Sequence, residues 1–166
     1  MQKRTTLGLE LPTDPRWVNI AEMNIGEILI DHAYCEQKAA SACISLIVNY
    51  PSKKELVAVL SPIVSEEWGY FQRVLRELDK RDIPLGNQRP DLYVKKLMET
   101  LHIKGRSEAV FLDRLLVCAL IEARSCERFK LLSVHIQDES LRKFYRELMI
   151  SEAGHYRAFI ELAEVY

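Results

Sequence analysis

The chain has 166 residues, of which 48% are hydrophobic and 28% charged, and its formal net charge is −1. That length suits one domain with a full-sized core, and the near-neutral balance excludes a strongly basic nucleic-acid binder while leaving room for local basic patches. No apolar run reaches the roughly 18 residues of a membrane span, and the opening MQKRTTLGLELPTDPRW lacks the apolar stretch of a signal peptide.

Residues 1–14 read as irregular, punctuated by Pro12 and Pro15, and Pro15 suits the first position of a short helix. A long helical pattern follows from about Asn24 to Asn49. Ile25, Ile28, Leu29, His32, Cys35, Glu36, Ala39, Cys43 and Leu46 fall along one stripe of it, and Tyr50-Pro51 ends it. A second helix is predicted from Ser52, with Glu55 three residues on as a capping box, running to about Asp79 with a bend at Pro62. Residues 81–106 hold Pro84, Gly86, Pro90 and Gly105 and form a long crossover with a short helix near Asp91–Leu101. A third long helix is expected from about Ser107 to Val134 and a fourth from near Asp138 to the C-terminus. No segment alternates as a strand does. The fold class is therefore all-α, a four-helix bundle whose long connection between helices two and three is of the ferritin-like kind.

The four cysteines, Cys35, Cys43, Cys118 and Cys126, show no C-x-x-C pair, so a zinc or iron–sulfur site is not expected. They read as small apolar residues in helices. Reduced thiols fit a cytoplasmic protein.

Two clusters recur at matched spacing. Glu36 is followed 31 residues later by Glu67 with Tyr70, and Glu122 is followed 30 residues later by Glu152 with His155. Residues i and i+3 share a helix face, so each closing pair points to one place. A Glu on each of two helices plus Glu-x-x-His on each of two others is the ligand set of a di-iron carboxylate bundle. This chain has that set with Tyr70 where the first His would stand. Glu36 and Glu122 lie in faces otherwise small and apolar, where an unpaired carboxylate is expensive. A single helical Glu more often faces solvent, and it is the joint pattern that carries the reading. Glu66 is the neighbour most easily confused with Glu67, and the i+3 relation to position 70 favours Glu67. His32, one turn before Glu36, either supports the site or is simply packed. Arg124 and Arg128 could pair with a nearby acid. Ile28, Leu29, Ile63, Phe71 and Leu115 could line an apolar channel but are equally good core residues.

The stretches LIDHAYCEQKAASACISLI, SEEWGYFQRVL, IEARSCERFKLL and LRKFYRELMISEAGHY resemble the MiaE family of tRNA hydroxylases, over roughly residues 15–166. The resemblance implies a single ferritin-like domain with a non-haem centre of two iron ions, held by Glu36, Glu67, Glu122, Glu152 and His155, through which these residues would be catalytic. It implies O2 as co-substrate, an external electron-transfer reductase, and hydroxylation of the isopentenyl group of 2-methylthio-N6-isopentenyl-adenosine next to the anticodon. The departure is Tyr70. It could ligate iron as a phenolate, leave water in that position, or mark an impaired centre, and a retained dinuclear site with altered ligation is preferred.

A substrate in the anticodon loop calls for Lys and Arg to meet phosphates. Arg81, Arg89, Lys95, Lys96, Lys104 and Arg106 in the crossover are the candidates, against the alternative of an ordinary solvated loop. The molecule is expected to be a monomer or small oligomer. The competing functions are a ferritin- or rubrerythrin-like oxidase or peroxidase, and a silent tRNA-binding homologue whose iron site decayed at Tyr70.

Overall fold

The computed structural model describes residues 7–99, 101 and 107–166, and among these there are six helices and no strand. They are α1 Trp17–Met23, α2 Ile25–Asn49, α3 Lys54–Asp79, α4 Leu92–Glu99, α5 Glu108–His135 and α6 Glu139–Val165. The chain divides into two compact units, one spanning Asn24–Tyr93 and the other joining the residues before Asn24 to Val94–Tyr166. Each is built on one antiparallel hairpin of long helices.

In the first unit α2 packs on α3. Leu29, Ala33, Ala40, Cys43 and Leu46 of α2 are buried, as are Leu56, Leu60, Ile63, Val74 and Leu78 of α3. The inward stripe takes Ala40 rather than the expected Ala39, because Ala40 stands one full i+4 step beyond Glu36. The expected capping box at Ser52 does not form. The Lys53 N–H bonds the Tyr50 carbonyl at 3.1 Å, so Ser52 is held in a turn and α3 starts two residues later, with Lys53 as a cap that makes no side-chain bond. The helix then runs unbroken through Pro62, which faces solvent.

After Asp79 the chain reverses. Asp82 takes a left-handed φ of 53°, and the Ile83 N–H bonds the Leu78 carbonyl at 3.1 Å, satisfying one of the last carbonyls of α3. The start of the crossover is laid along α2. Tyr34 donates to the Gly86 carbonyl at 2.8 Å, and Arg89 pairs with Glu27. Gly26 allows this approach: a Cβ there would stand 3.0 Å from the Ile83 methyl.

In the second unit α5 packs on α6, and both begin on side-chain caps. The Ser107 hydroxyl accepts from Val110 N at 3.4 Å and the Asp138 carboxylate from Leu141 N at 3.0 Å. Phe111, Leu115, Leu132, Leu141, Tyr145, Leu148 and Phe159 form its core. The N-terminal segment is tied to α5. The Glu127 carboxylate accepts from Thr13 N at 3.0 Å, from the Thr13 hydroxyl at 2.6 Å and from Arg124 at 2.6 Å, while Arg124 also donates to the Leu11 carbonyl at 3.0 Å. The Arg128 guanidinium lies 5.4 Å from the centre of the Trp17 ring. The short helix α4 is narrower than expected and buries none of its residues.

Candidate metal centre

The α5–α6 hairpin carries Glu122, Glu152 and His155. Glu122 sits near the middle of α5, where Ala119, Ala123 and Cys126 are also buried, so its carboxylate emerges from a face of small side chains. Glu152 and His155 stand one turn apart on α6 and share its inward face. All three are at most 4% exposed, and each offers a ligand atom within 4.8 Å of the others. Ser151 lies 3.4 Å from the His155 Nε2, a weak contact. Two carboxylates brought this close in a buried place repel each other unless a cation or proton lies between them. Hard oxygens with an imidazole nitrogen are what iron favours. The donor set therefore fits a metal such as iron.

The α2–α3 hairpin carries Glu36 and Glu67. Glu67 is buried and Glu66 beside it is exposed, as the i+3 argument requires. Glu36 is buried as well, and its Oε1 lies 2.7 Å from the Nε2 of His32, one turn earlier on the same face. Burial pushes the His32 imidazole down to about 3, so at neutral pH it is uncharged and the contact is a hydrogen bond between a neutral ring and the Glu36 carboxyl group, not an ion pair. Tyr70 is half-buried, with the Arg73 guanidinium 5.9 Å from its ring centre. Asp31 is exposed. Burial first, then the nearby Asp31, Asp91 and Glu36, pushes the Cys35 thiol up to about 12 and keeps it protonated and unreactive.

The remaining sequence candidates divide. Leu29, Ile63 and Leu115 are core residues, whereas Ile28 and Phe71 are only half-buried, and Phe71 packs on the exposed Trp68 with ring centres 4.9 Å apart. Lys95 and Lys96 are exposed on α4. Arg89 is engaged by Glu27, and Arg81 is engaged by Glu77 at 2.7 Å. Lys104 and Arg106 lie outside the described residues. The Thr13–Arg124–Glu127 cluster was not legible in full from sequence. Arg124 and Glu127 stand at helical spacing, but nothing local points to Thr13.

A model of the family described as tRNA-(MS2IO6A)-hydroxylase (MiaE) matches residues 2–166. The chain belongs to the MiaE family. Within it, the chain is similar to the tRNA 2-(methylsulfanyl)-N(6)-isopentenyladenosine(37) hydroxylase of Pseudomonas putida, with 38% identity over 95% of this chain and 76% of the relative. The protein of the same description from Salmonella typhimurium is 27% identical over 94% of this chain and 75% of its own length. Among solved structures, Protein 43 with aldehyde deformylating oxygenase activity, from Synechococcus, matches with a TM-score of 0.90 and 38% identity, covering 94% of this chain and 77% of that one. The fold of this MiaE-family chain is the ferritin-like four-helix kind, with the long connection between α3 and α5.

Proposed function

We propose that the chain is a tRNA hydroxylase that uses O2 and a centre of two iron ions to hydroxylate the isopentenyl group of 2-methylthio-N6-isopentenyl-adenosine beside the anticodon. The observation that carries this reading is the buried set of Glu122, Glu152 and His155, whose ligand atoms lie within 4.8 Å of one another in a chain of this family. Glu67 and Glu36, buried on the α2–α3 hairpin, complete the ligand set in this proposal.

Iron, when bound, supplies the O2 chemistry that a protein side chain cannot. The chain's part is to hold the metal, position the prenyl group and keep bulk water away. Glu36, Glu67, Glu122, Glu152 and His155 would hold the iron. Each is fixed on a rigid long helix, which holds donor positions better than a loop does. The apolar side chains around Glu122 keep the site dry and confine reactivity to the substrate. Loop bases in tRNA can be splayed out for such a site, and Lys95 and Lys96 on α4 would meet phosphates without reading sequence. Electrons would come from a separate reductase. The enzyme is read as cytoplasmic and as a monomer or small oligomer. Among the described residues no helix is long and apolar enough to cross a membrane.

The test is to load the protein with Fe(II) without air, add tRNA bearing the methylthio-isopentenyl base, then O2 and a chemical reductant, and analyse the released nucleosides by mass. Incorporation of one oxygen atom into the prenyl group, abolished by a chelator added before O2, is expected. An iron-loaded protein that leaves the nucleoside unchanged while a Pseudomonas putida control converts it would overturn the proposal.

A further inference from the structure

We propose that His32 is an iron ligand, supplying with Glu36 the imidazole that position 70 lacks. The inference rests on the dinuclear reading given above.

The sequence leaves the two ligand clusters unequal. The α5–α6 hairpin has its Glu-x-x-His in Glu152 and His155, while the α2–α3 hairpin has Glu67 and Tyr70. The Tyr70 ring lies beside the Arg73 guanidinium and is half-buried, unlike His155. An imidazole is nevertheless present on this hairpin. His32 is buried, as the carboxylates are, and it stands four residues before Glu36 on the inward face of α2. Residues at i and i+4 on one helix face converge on a single metal in His-Glu-x-x-His zinc sites, so the spacing is adequate. The distance also fits. Two donors about 2.1 Å from one octahedral metal, at right angles, stand about 3.0 Å apart. His32 Nε2 and Glu36 Oε1 are 2.7 Å apart. Only a small opening of the pair admits a metal between them.

The charge and proton bookkeeping is consistent. To offer Nε2 to a metal the neutral ring would carry its one proton on Nδ1, a change of tautomer in which the ring neither gains nor loses a proton overall, and Nε2 and the Glu36 carboxylate would then both be available as donors. A histidine placed to hydrogen-bond a ligand carboxylate from behind is the rival role, and its loss costs about 10–100-fold in metal affinity. Loss of a ligand costs more and is repaired by a second imidazole delivered to the same metal.

The experiment is an anaerobic Fe(II) titration of the wild type, His32→Ala, and His32→Ala combined with Tyr70→His, with folding checked by circular dichroism. The expected result is about two irons per chain in the wild type. In His32→Ala one iron remains tight and the other weakens by more than about 100-fold, beyond the outer-shell range. The double variant regains the second iron. Should His32→Ala fail to fold, proton NMR of the Co(II)-loaded wild type answers the same question, because coordinated imidazoles give strongly shifted N–H signals. Signals from both His155 and His32 are expected. Two irons in the wild type with both retained in His32→Ala, a weakening that Tyr70→His does not repair, or a shifted signal from His155 alone would each overturn the ligand role of His32 while leaving the dinuclear reading intact. A wild type that binds one iron or none overturns both.

Discussion

The two helical hairpins share a plan and differ in how their buried polar groups are satisfied. On α5–α6, a Glu and a Glu-x-x-His pair sit at the spacing of a carboxylate metal site, and the other buried acid, Glu127, is held by a residue 114 positions away, Thr13. On α2–α3, Tyr70 interrupts the same spacing, the imidazole beside Glu36 comes from His32, and the other buried acid, Glu77, is held by its own helix turn through Lys80 and Arg81. The lesson is that an inward polar residue is defined by its partner: Glu77 finds its partners within its own helix turn, whereas Glu127 adds to the neighbouring Arg124 a partner from far along the chain.

The largest expected effect tests whether the two hairpins carry equal shares of the core. Leu148→Ala in α6 and Leu60→Ala in α3 each empty a fully buried site, and each should cost about 2–5 kcal/mol in urea unfolding. Similar losses with a single transition would mean the hairpins unfold together. A biphasic curve in only one variant would show that they are separately stable.

A smaller effect separates the two buried acids. Glu127→Gln should cost about 1–3 kcal/mol, because it weakens charged hydrogen bonds that tether the N-terminal segment. Glu77→Gln should cost less, about 0.3–1 kcal/mol, because its partners are one turn away and the Lys80 end is largely exposed. Burial pulls both carboxyls up, but it is outweighed, for Glu127 by Thr13 and Arg124 and for Glu77 by Lys80 and Arg81, so each is held below its ordinary value of 4.5. A depressed folded-state value means the stabilisation is present above pH 4.5 and lost as pH falls through the depressed value. The gap between wild type and Glu127→Gln should therefore be constant near neutrality and close on acidification. A gap that persists at pH 2 would show that packing, not charge, sets it.

The smallest effect falls on α4, which belongs to the core of neither hairpin. Replacing Lys95 and Lys96 with Glu should leave the unfolding midpoint within about 0.5 kcal/mol of wild type. It should also weaken tRNA binding and lower the slope of log affinity against log salt by about one per lysine. An unchanged slope would exclude α4 from the tRNA contact.

Helix periodicity alone was enough to lay out four long helices, the position of the long connection and the inward faces. Each depends on residues within a few turns of each other, and that information is written along the chain. The same periodicity separates Glu67 from Glu66, and the structure buries the first and exposes the second. Local signals failed where a nearby contact outcompeted them. Ser52 has the spacing of a capping residue, but the turn bond between Lys53 and Tyr50 holds it outside the helix. They were also silent where the partner is distant in sequence. His32 reads equally as a packed ring or a site residue until its Nε2 is found 2.7 Å from Glu36, and nothing near Glu127 in sequence announces Thr13. Amphipathic spacing tells which face of each long helix turns inward, though not every residue on it, as Ala39 and Ala40 show. What an inward polar atom then meets is set by the packing of whole helices, because burial makes an unmet charge costly and only tertiary contact decides how that cost is relieved.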